Sequence, residues 1–262
     1  MSPRCPRWLL VLSSLIVAAG AGCGSGAAPV PPVVPAAGPE RPSPGPDELA
    51  PDGSALPAPR IDRECLDPYA GCPAAVGLPA LSADGARVAV PDRGPDSERD
   101  QRALTIRILA VAGGAELGHY DIIQVVDYEL LDPASGELTD ALRARVDPRI
   151  EAVRRVLDEG GFRPLTALGT VHEQRAGAEV DGLRASFDGE ALEVFDARLG
   201  QVRWHRALGP SAAEVEDGRD CGPFAVAEVQ VWVSREAGVI VAQVVYLSDE
   251  MCAPEQPFLV WR

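Results

Sequence analysis

The sequence predicts a mainly β protein with one helical segment, an α+β fold in which antiparallel sheets form a sandwich or pack against a kinked helix. Two observations support this prediction. Apolar and polar residues alternate in three stretches that each turn back near a glycine, which is typical of β-hairpins. One further stretch repeats apolar residues every three or four positions, which is typical of a helix.

The chain begins with a stretch typical of an export signal. Arg4 and Arg7 precede an apolar run from Trp8 to Ala19, and small residues continue up to Cys23. As a helix the run would span about 18 Å, whereas the hydrocarbon core of a bilayer is about 30 Å thick. A permanent transmembrane helix is therefore not expected.

The residues Ala21-Gly22-Cys23 resemble the lipobox of bacterial lipoproteins, in which the cysteine is acylated and becomes the mature N-terminus. The resemblance implies that residues 1–22 are a signal peptide. It also implies that Cys23 carries lipid, including palmitate-like chains, and holds the exported protein on the bilayer. The alternative is cleavage by the ordinary signal peptidase after Ala21.

The location of the anchored protein follows from the same resemblance. Gly24 stands where many enteric lipoproteins have an aspartate that signals inner-membrane retention. The resemblance therefore implies the outer membrane if the host is Gram-negative. The overall layout also resembles that of lipoproteins from GC-rich bacteria such as myxobacteria, which implies no particular activity.

Residues 23–60 are predicted to be a disordered tether. Residues 24–60 contain eleven prolines and almost no large apolar side chain. Such a segment cannot bury enough surface to offset the entropy of ordering it. Residues 61–262 are then predicted to form a single β-rich domain with disulfide bonds, because alternation resumes there and no linker divides it.

The β elements follow in chain order. A turn near Asp84-Gly85 leads into a first strand. The three predicted hairpins are residues 104–126 with a turn at Gly113-Gly114, residues 183–204 with turns at Asp188-Gly189 and Gly200, and residues 226–247 with a turn at residues 235–238.

The first turn and strand, Ser82-Ala83-Asp84-Gly85 followed by Val88-Ala89-Val90, resemble a TolB-like or WD-like β-propeller repeat. The likeness covers about ten residues. A propeller needs at least four blades of four strands, whereas about ten strands are predicted, so a complete propeller is not expected.

The helical segment lies between the first and second hairpins. Pro148 interrupts it, and Asp147 before the proline has the side chain of an N-cap. A kinked helix or two short helices are therefore predicted, ending at Gly160-Gly161. The predicted apolar stripe is Leu138, Leu142, Val146, Ile150, Val153 and Leu157.

Arginines decorate the other side of this helix. They indicate either a face for a partner or lipid headgroups, or a solvated helix with internal pairs such as Glu151 with Arg155, and the second interpretation is favoured. The arginines are Arg143, Arg145, Arg149, Arg154 and Arg155.

Four cysteines remain once the signal is removed and Cys23 is acylated. An even number in an oxidising compartment predicts disulfides, which could pair in three ways. A four-cysteine zinc site is the alternative, but no Cys-x-x-Cys pair is present. The remaining cysteines are Cys65, Cys72, Cys221 and Cys252.

The register of the last hairpin selects one pairing. If Arg235 and Gly238 close its turn, the same register carried outward places Cys221 opposite Cys252. Cys65 would then pair with Cys72. The facing pairs within the hairpin would be Val233 with Ile240, Val231 with Ala242 and Val229 with Val244.

Catalytic and metal motifs are sparse. The three histidines have no metal-binding spacing, and no phosphate-binding or nucleophile motif is present. One acidic loop is a weak calcium candidate, although a solvated loop explains it more simply. No cofactor is predicted. The calcium candidates are Asp92, Asp96, Glu98 and Asp100.

Charge excludes one class of partner. The chain has a net charge of −15, and removal of residues 1–22 with their two arginines makes it −17. Nucleic-acid binding needs a basic surface and is not expected. The predicted function is a noncatalytic binding or scaffolding domain on a membrane anchor, with an unknown envelope protein or glycan as partner. The alternative is a secreted hydrolase that uses carboxylates of the acidic loop.

Overall fold

The computed structural model describes residues 56–62, 74–93, 103–130, 139–173, 177, 179–211, 214–216, 219–247 and 256–262. These residues belong to one compact unit. Among them, the chain is mainly β, the strand pairs are antiparallel, and only one helix has seven residues or more. The strands of this part form neither a closed barrel nor a propeller. The predicted mainly β, α+β class is confirmed.

The described strands are, in chain order, β1 (Arg60–Asp62), β2 (Ala74–Val76), β3 (Ala80–Leu81), β4 (Arg87–Arg93), β5 (Leu104–Ala110), β6 (Glu116–Ile123), β7 (Arg163–Pro164), β8 (Thr166–Val171), β9 (Glu179–Val180), β10 (Leu183–Phe187), β11 (Ala191–Asp196), β12 (Gln201–Ala207), β13 (Glu214–Glu216), β14 (Arg219–Cys221), β15 (Val226–Ser234), β16 (Val239–Tyr246) and β17 (Phe258–Trp261). The helix α1 is Asp140–Glu159, and a 3-10 helix covers Val125–Leu130.

Three sheets and the helix form a stack. The helix sheet has the strand order β6-β5-β4-β3-β7, the central sheet β17-β16-β15-β8, and the outer sheet β12-β11-β10-β9. Two short ladders, β1-β2 and β13-β14, are the other pairings seen among the described residues. The order of the layers follows from which side chains are buried together.

One face of the helix sheet packs against α1. Leu104, Ile106 and Ile108 alternate along β5 and are buried against the helix. Each such side chain contributes about 1.5–3 kcal/mol when it leaves water. The predicted apolar stripe is confirmed from its second member onward, and Leu138 lies outside the described residues. The buried stripe is Leu142, Val146, Ile150, Val153 and Leu157.

The central sheet is buried on both faces. Val239 and Val241 of β16 pack with Val88 and Val90 of the helix sheet. The intervening residues of β16 face the opposite way, where Ile240 and its neighbours pack against the outer sheet. Two buried faces explain why β16 is apolar at successive positions instead of alternating with polar residues.

The helix α1 is continuous through Pro148, so a new helix does not begin at Asp147 and the expectation of two short helices is wrong. Instead, Thr139 is the N-cap, and its hydroxyl accepts a hydrogen bond from the Leu142 N–H at 3.2 Å. A proline inside a helix costs about 3 kcal/mol. Burial of stripe residues on both sides of Pro148 stabilises the single helix by more than this.

The end of α1 is a hydrogen-bonded glycine cap, as the glycine pair predicts. The Gly161 N–H bonds to the Asp158 carbonyl and the Phe162 N–H bonds to the Leu157 carbonyl, both at 3.1 Å. Gly161 has a φ of +57°, a conformation that glycine adopts without strain. Phe162 is then buried in the core between α1 and the helix sheet.

The propeller-like stretch Ser82-Ala83-Asp84-Gly85 forms the turn between β3 and β4. The Ser82 hydroxyl accepts from the Arg87 N–H, and the Asp84 carboxylate accepts from the Ala86 N–H, each at 3.0 Å. Both hydrogen bonds stabilise the local reversal of the chain. In this structure the turn joins two neighbouring strands of the helix sheet.

The register of the last hairpin is confirmed across most of its length. Its ladder shifts by one residue near the open end, so that Val226 faces Tyr246. A bulge is the ordinary cause of such a shift. The confirmed facing pairs are Val233 with Ile240, Val231 with Ala242 and Val229 with Val244.

No helix in the described part of the chain combines the length and the apolarity that a membrane span requires.

Candidate functional site: a groove at the edge of the central sheet

The structure describes only two of the residues that the sequence singles out for sites. Cys221 ends β14, which pairs with β13, and Asp92 lies in β4. Neither disulfide is tested, because each pairing includes a residue outside the described part. The predicted site residues outside the described part are Cys23, Cys65, Cys72, Cys252, Asp96, Glu98 and Asp100.

Asp92 belongs to a network of charges on the helix sheet. Arg107 of β5 lies 3.1 Å from the Asp92 carboxylate and 2.6 Å from the Glu116 carboxylate. Burial disfavours the Arg107 cation, but the hydrogen bonds and charges of Glu116 and Asp92 outweigh it and raise the pKa of Arg107. Asp92 therefore has a cationic partner across the strand pair.

The same network continues along β6. His119 Nε2 lies 3.0 Å from Asp121 Oδ1, and Nδ1 lies 3.3 Å from Glu116 Oε1. Burial raises the pKa of Asp121, but hydrogen bonds from Gln124 and Thr105 outweigh it, and the net shift is downward. No group of three or more potential metal-binding side chains is found among the described residues.

A fully buried carboxylate joins the outer sheet to the central sheet. Both oxygens of Asp196, at the end of β11, lie 2.7 Å from Nη2 of Arg235 in the β15–β16 turn. The Arg198 N–H donates to Asp196 at 3.0 Å, and Arg203 lies 3.8 Å away. Burial opposes ionisation, but the Arg198 N–H and the Arg235 charge outweigh it and lower the pKa of Asp196. We call Asp196, Arg203 and Arg235 the Asp196 cluster.

A second buried carboxylate joins the 3-10 helix to α1. Arg149 lies 2.5 Å from Asp127 Oδ2, which also accepts from the Gln124 N–H at 2.9 Å. Arg145 lies 3.5 Å from Oδ1, an atom without a hydrogen bond in the described structure. We call Asp127, Arg145 and Arg149 the Asp127 cluster. Each cluster connects two separate elements of the fold, and each carboxylate is paired with two arginines.

A concave feature of the described structure lies at the edge of the central sheet. It is a groove of about 580 Å³ between β17, the Gly113-Gly114 turn of the helix sheet and Arg206 of the outer sheet. Among the described residues, its lining is mostly apolar and includes no acidic side chain. The lining residues are Ala86, Val111, Ala112, Gly113, Gly114, Arg206, Phe258, Leu259, Val260, Trp261 and Arg262.

The backbone of β17 faces this groove with groups that have no backbone partner among the described residues. β17 is the edge strand of its sheet, and among the described strands only β16 pairs with it. The Val244 N–H donates to the Pro257 carbonyl at 3.0 Å. Because hydrogen-bonded and non-bonded pairs alternate in an antiparallel ladder, the N–H and C=O of Phe258 and Val260 point away from β16.

Two arginines lie at this edge. The Arg206 guanidinium lies 5.0 Å from the centre of the Trp261 ring, and Arg262 Nη2 donates to the Gly85 carbonyl at 2.6 Å. Within the described part neither has a carboxylate partner, and the Trp261 indole nitrogen is buried there without a hydrogen bond. Two guanidinium groups thus lie at the groove of a protein whose net charge is negative.

The opposite edge of the central sheet is covered. The chain passes over β8 at Gly177, whose N–H donates to the Ala185 carbonyl at 2.9 Å. A Cβ at Gly177 would come within 2.8 Å of the Leu168 carbonyl, so the two backbones are in close contact. Among the described residues, no second strand pairs with β17.

Sequence reasoning missed this groove. The residues Phe258-Leu259-Val260-Trp261 form an apolar stretch with β-favouring side chains, and this signal predicts a final strand. Their position beside Gly113-Gly114 depends on the stacking of sheets that are distant in sequence. Arg206 reaches the groove from a third sheet.

No family model matches the chain, and neither a curated protein nor a solved structure is significantly similar to it.

Proposed function

We propose that the protein is a lipid-anchored component of the bacterial cell envelope whose β domain binds another envelope component without catalysing a reaction. The observation that carries the proposal is the mostly apolar groove beside the open β17 edge. Apolar concave surfaces with a few polar groups are typical binding sites. Outer-membrane attachment in a Gram-negative host belongs to the same proposal.

The anchor part of the proposal rests on Cys23 and the apolar run before it. Metabolic labelling with a palmitate analogue should label the wild-type protein and leave Cys23→Ser unlabelled. Cys5→Ser is the matched control, because Cys5 lies inside the signal and should not affect labelling. An unlabelled wild-type protein with Gly22 at its mature terminus would contradict the anchor.

The binding part is tested in intact host cells. A photo-crosslinking amino acid at Ala112, which lines the groove, should yield a specific adduct with another envelope component. The same amino acid at Ala115 is the control, because Ala115 is exposed in the same turn but does not line the groove. Equal crosslinking at both positions would contradict binding in the groove.

The described carboxylates favour this proposal over a carboxylate-dependent hydrolase. Hydrolysis of that kind needs two carboxylates that face a substrate. Asp92 instead faces Arg107, and both buried aspartates face arginines. These pairs leave the groove as the better-supported site.

The disulfides are proposed as sequence analysis pairs them, Cys221 with Cys252 and Cys65 with Cys72. The hairpin supports the first pairing as far as the Leu247 N–H, which bonds to the Ala225 carbonyl after a one-residue register shift, whereas Cys221 itself faces Glu214 of β13. Peptide mapping without reduction should recover both pairs. A crosslink between Cys65 or Cys72 and either of the other two would contradict the pairing.

A further inference from the structure

We propose that the groove binds an extended acidic peptide segment of a partner protein, which pairs with the outer edge of β17 as an added strand. The inference rests on the proposed binding function and names the partner's chemistry. Strand addition to a sheet edge is a common mode of peptide recognition, in which backbone bonds provide affinity and side-chain pockets provide selectivity.

The backbone of β17 is suited to this pairing. The outward N–H and C=O groups of Phe258 and Val260 have no backbone partner among the described residues. An unpaired strand edge attracts another strand unless it is blocked by a bulge, a charge or a covering segment. The β8 edge of the same sheet is covered at Gly177, whereas the described chain places no such segment over β17.

The groove beside this edge has room for a strand. Its lining includes several small residues, and a Cβ added to Gly113 or Gly114 would meet no atom within 4 Å. Val111 and Val260 belong to its apolar floor. Since side chains of a strand alternate in direction, every second residue of an added peptide would face this floor.

Charge selects an acidic peptide. Within the described part, Arg206 and Arg262 line the groove without carboxylate partners, and the lining residues there include no acidic side chain. The rest of the protein carries the opposite balance, with a net charge of −15. A basic peptide would meet two guanidinium groups in the groove, whereas carboxylates would pair with them.

A display library of randomised linear peptides, selected on the mature protein purified from its host, tests the proposal. We expect enrichment of extended sequences that combine carboxylates with β-favouring residues. The enriched peptide, labelled with a fluorophore, is then measured by anisotropy. Two N-methylated forms of the peptide are then compared, one methylated at the odd and one at the even backbone nitrogens. Only the form whose methylated nitrogens would donate to β17 should lose binding.

Four variants localise the binding. Ala112→Trp should weaken the peptide more than about tenfold by filling the groove, and Ala115→Trp should leave its affinity unchanged. Arg206→Glu should weaken it about fivefold to tenfold, whereas Arg143→Glu on the exposed side of α1 should have little effect. All four positions are at or near the surface, and circular dichroism verifies their folding.

Each contrary outcome has a distinct meaning. Strand addition at β17 would be overturned if no peptide is enriched, or if the enriched peptides bind Ala112→Trp normally. In either case a crosslink at Ala112 would still support the proposed function. If the wild-type protein forms dimers and Ala112→Trp does not, a second copy of the chain occupies the β17 edge. That result would overturn the peptide proposal. If a crosslinking amino acid at Ala112 gives no specific adduct in cells, the proposed function itself would be contradicted.

Discussion

The two buried aspartates have similar surroundings but different hydrogen bonding. Each faces two arginines and accepts a bond from a neighbouring backbone N–H. In the Asp196 cluster, both carboxylate oxygens lie 2.7 Å from Arg235. In the Asp127 cluster, one oxygen has no hydrogen bond in the described structure. A buried charge is stabilising only when its partners satisfy it, so the Asp196 cluster should contribute more.

The comparison also bears on function. A buried carboxylate is often taken as a candidate active-site residue, but carboxylates in ion pairs that connect structural elements are buried as well. Asp196 connects the outer and central sheets, and Asp127 connects the 3-10 helix to α1. Neither carboxylate belongs to the described lining of the groove.

The largest expected effect is that of Asp196→Ala. It should lower Tm by about 10 °C, because it leaves Arg235 without its carboxylate partner at the junction of two sheets. Differential scanning calorimetry measures the change. Asp158→Ala is the control, since Asp158 is exposed on α1 and its removal should shift Tm by less than about 1 °C.

Asp127→Ala should have the second largest effect, a decrease in Tm of about 6 °C. The change is smaller because one oxygen of Asp127 makes no hydrogen bond in the described structure. If Asp127→Ala lowers Tm as much as or more than Asp196→Ala, hydrogen-bond satisfaction does not explain the difference between the clusters.

The two arginines of the Asp127 cluster should differ as well. Arg149→Ala should lower Tm by about 4 °C, because it breaks the 2.5 Å contact with a buried charge. Arg145→Ala should change Tm by less than about 1 °C, since Arg145 is 55% exposed and 3.5 Å away. Equal effects would show that Asp127 depends on both charges alike.

The smallest expected effect is a dependence of stability on pH. The pKa of folded Asp196 lies below the ordinary value of 3.8, so ionised Asp196 stabilises the fold above that value. Its contribution is lost as pH falls through the folded pKa. Wild type should exceed Asp196→Asn in Tm by about 3 °C at neutral pH, and the difference should shrink below pH 3.8.

Thermal melts of both proteins between neutral pH and acid test this dependence. A difference that stays constant or grows on acidification would contradict it. Asp158→Asn provides the control for a surface carboxylate, and its difference from wild type should remain small throughout.

Sequence reasoning was most successful where local pattern and register determine the outcome. The last hairpin was predicted in register because a one-residue slip would turn its valines to the opposite face. The apolar stripe of α1 was predicted for the same kind of reason. Of the two alternatives at Pro148, two short helices was wrong, since local helix rules do not include burial of the stripe against a sheet.

The arginines of α1 show the same limit. Arg154 pairs with Glu151 and Asp158 within the helix, as a solvated helix should. Arg149 instead reaches a carboxylate 22 positions earlier in the chain. No helical spacing predicts that contact, because the folding of the 3-10 helix against α1 creates it.

The sequence by itself determined the mainly β class, the hairpins with their turns, and the helical face, because these depend on residues that are close along the chain. Tertiary structure alone decided which sheet is central, how the two buried aspartates are paired, and that β17 is an edge strand among the described strands. Those features depend on contacts between distant segments, and the groove that results combines residues from three sheets. The alternation of a single strand contains no information about its neighbours across the stack.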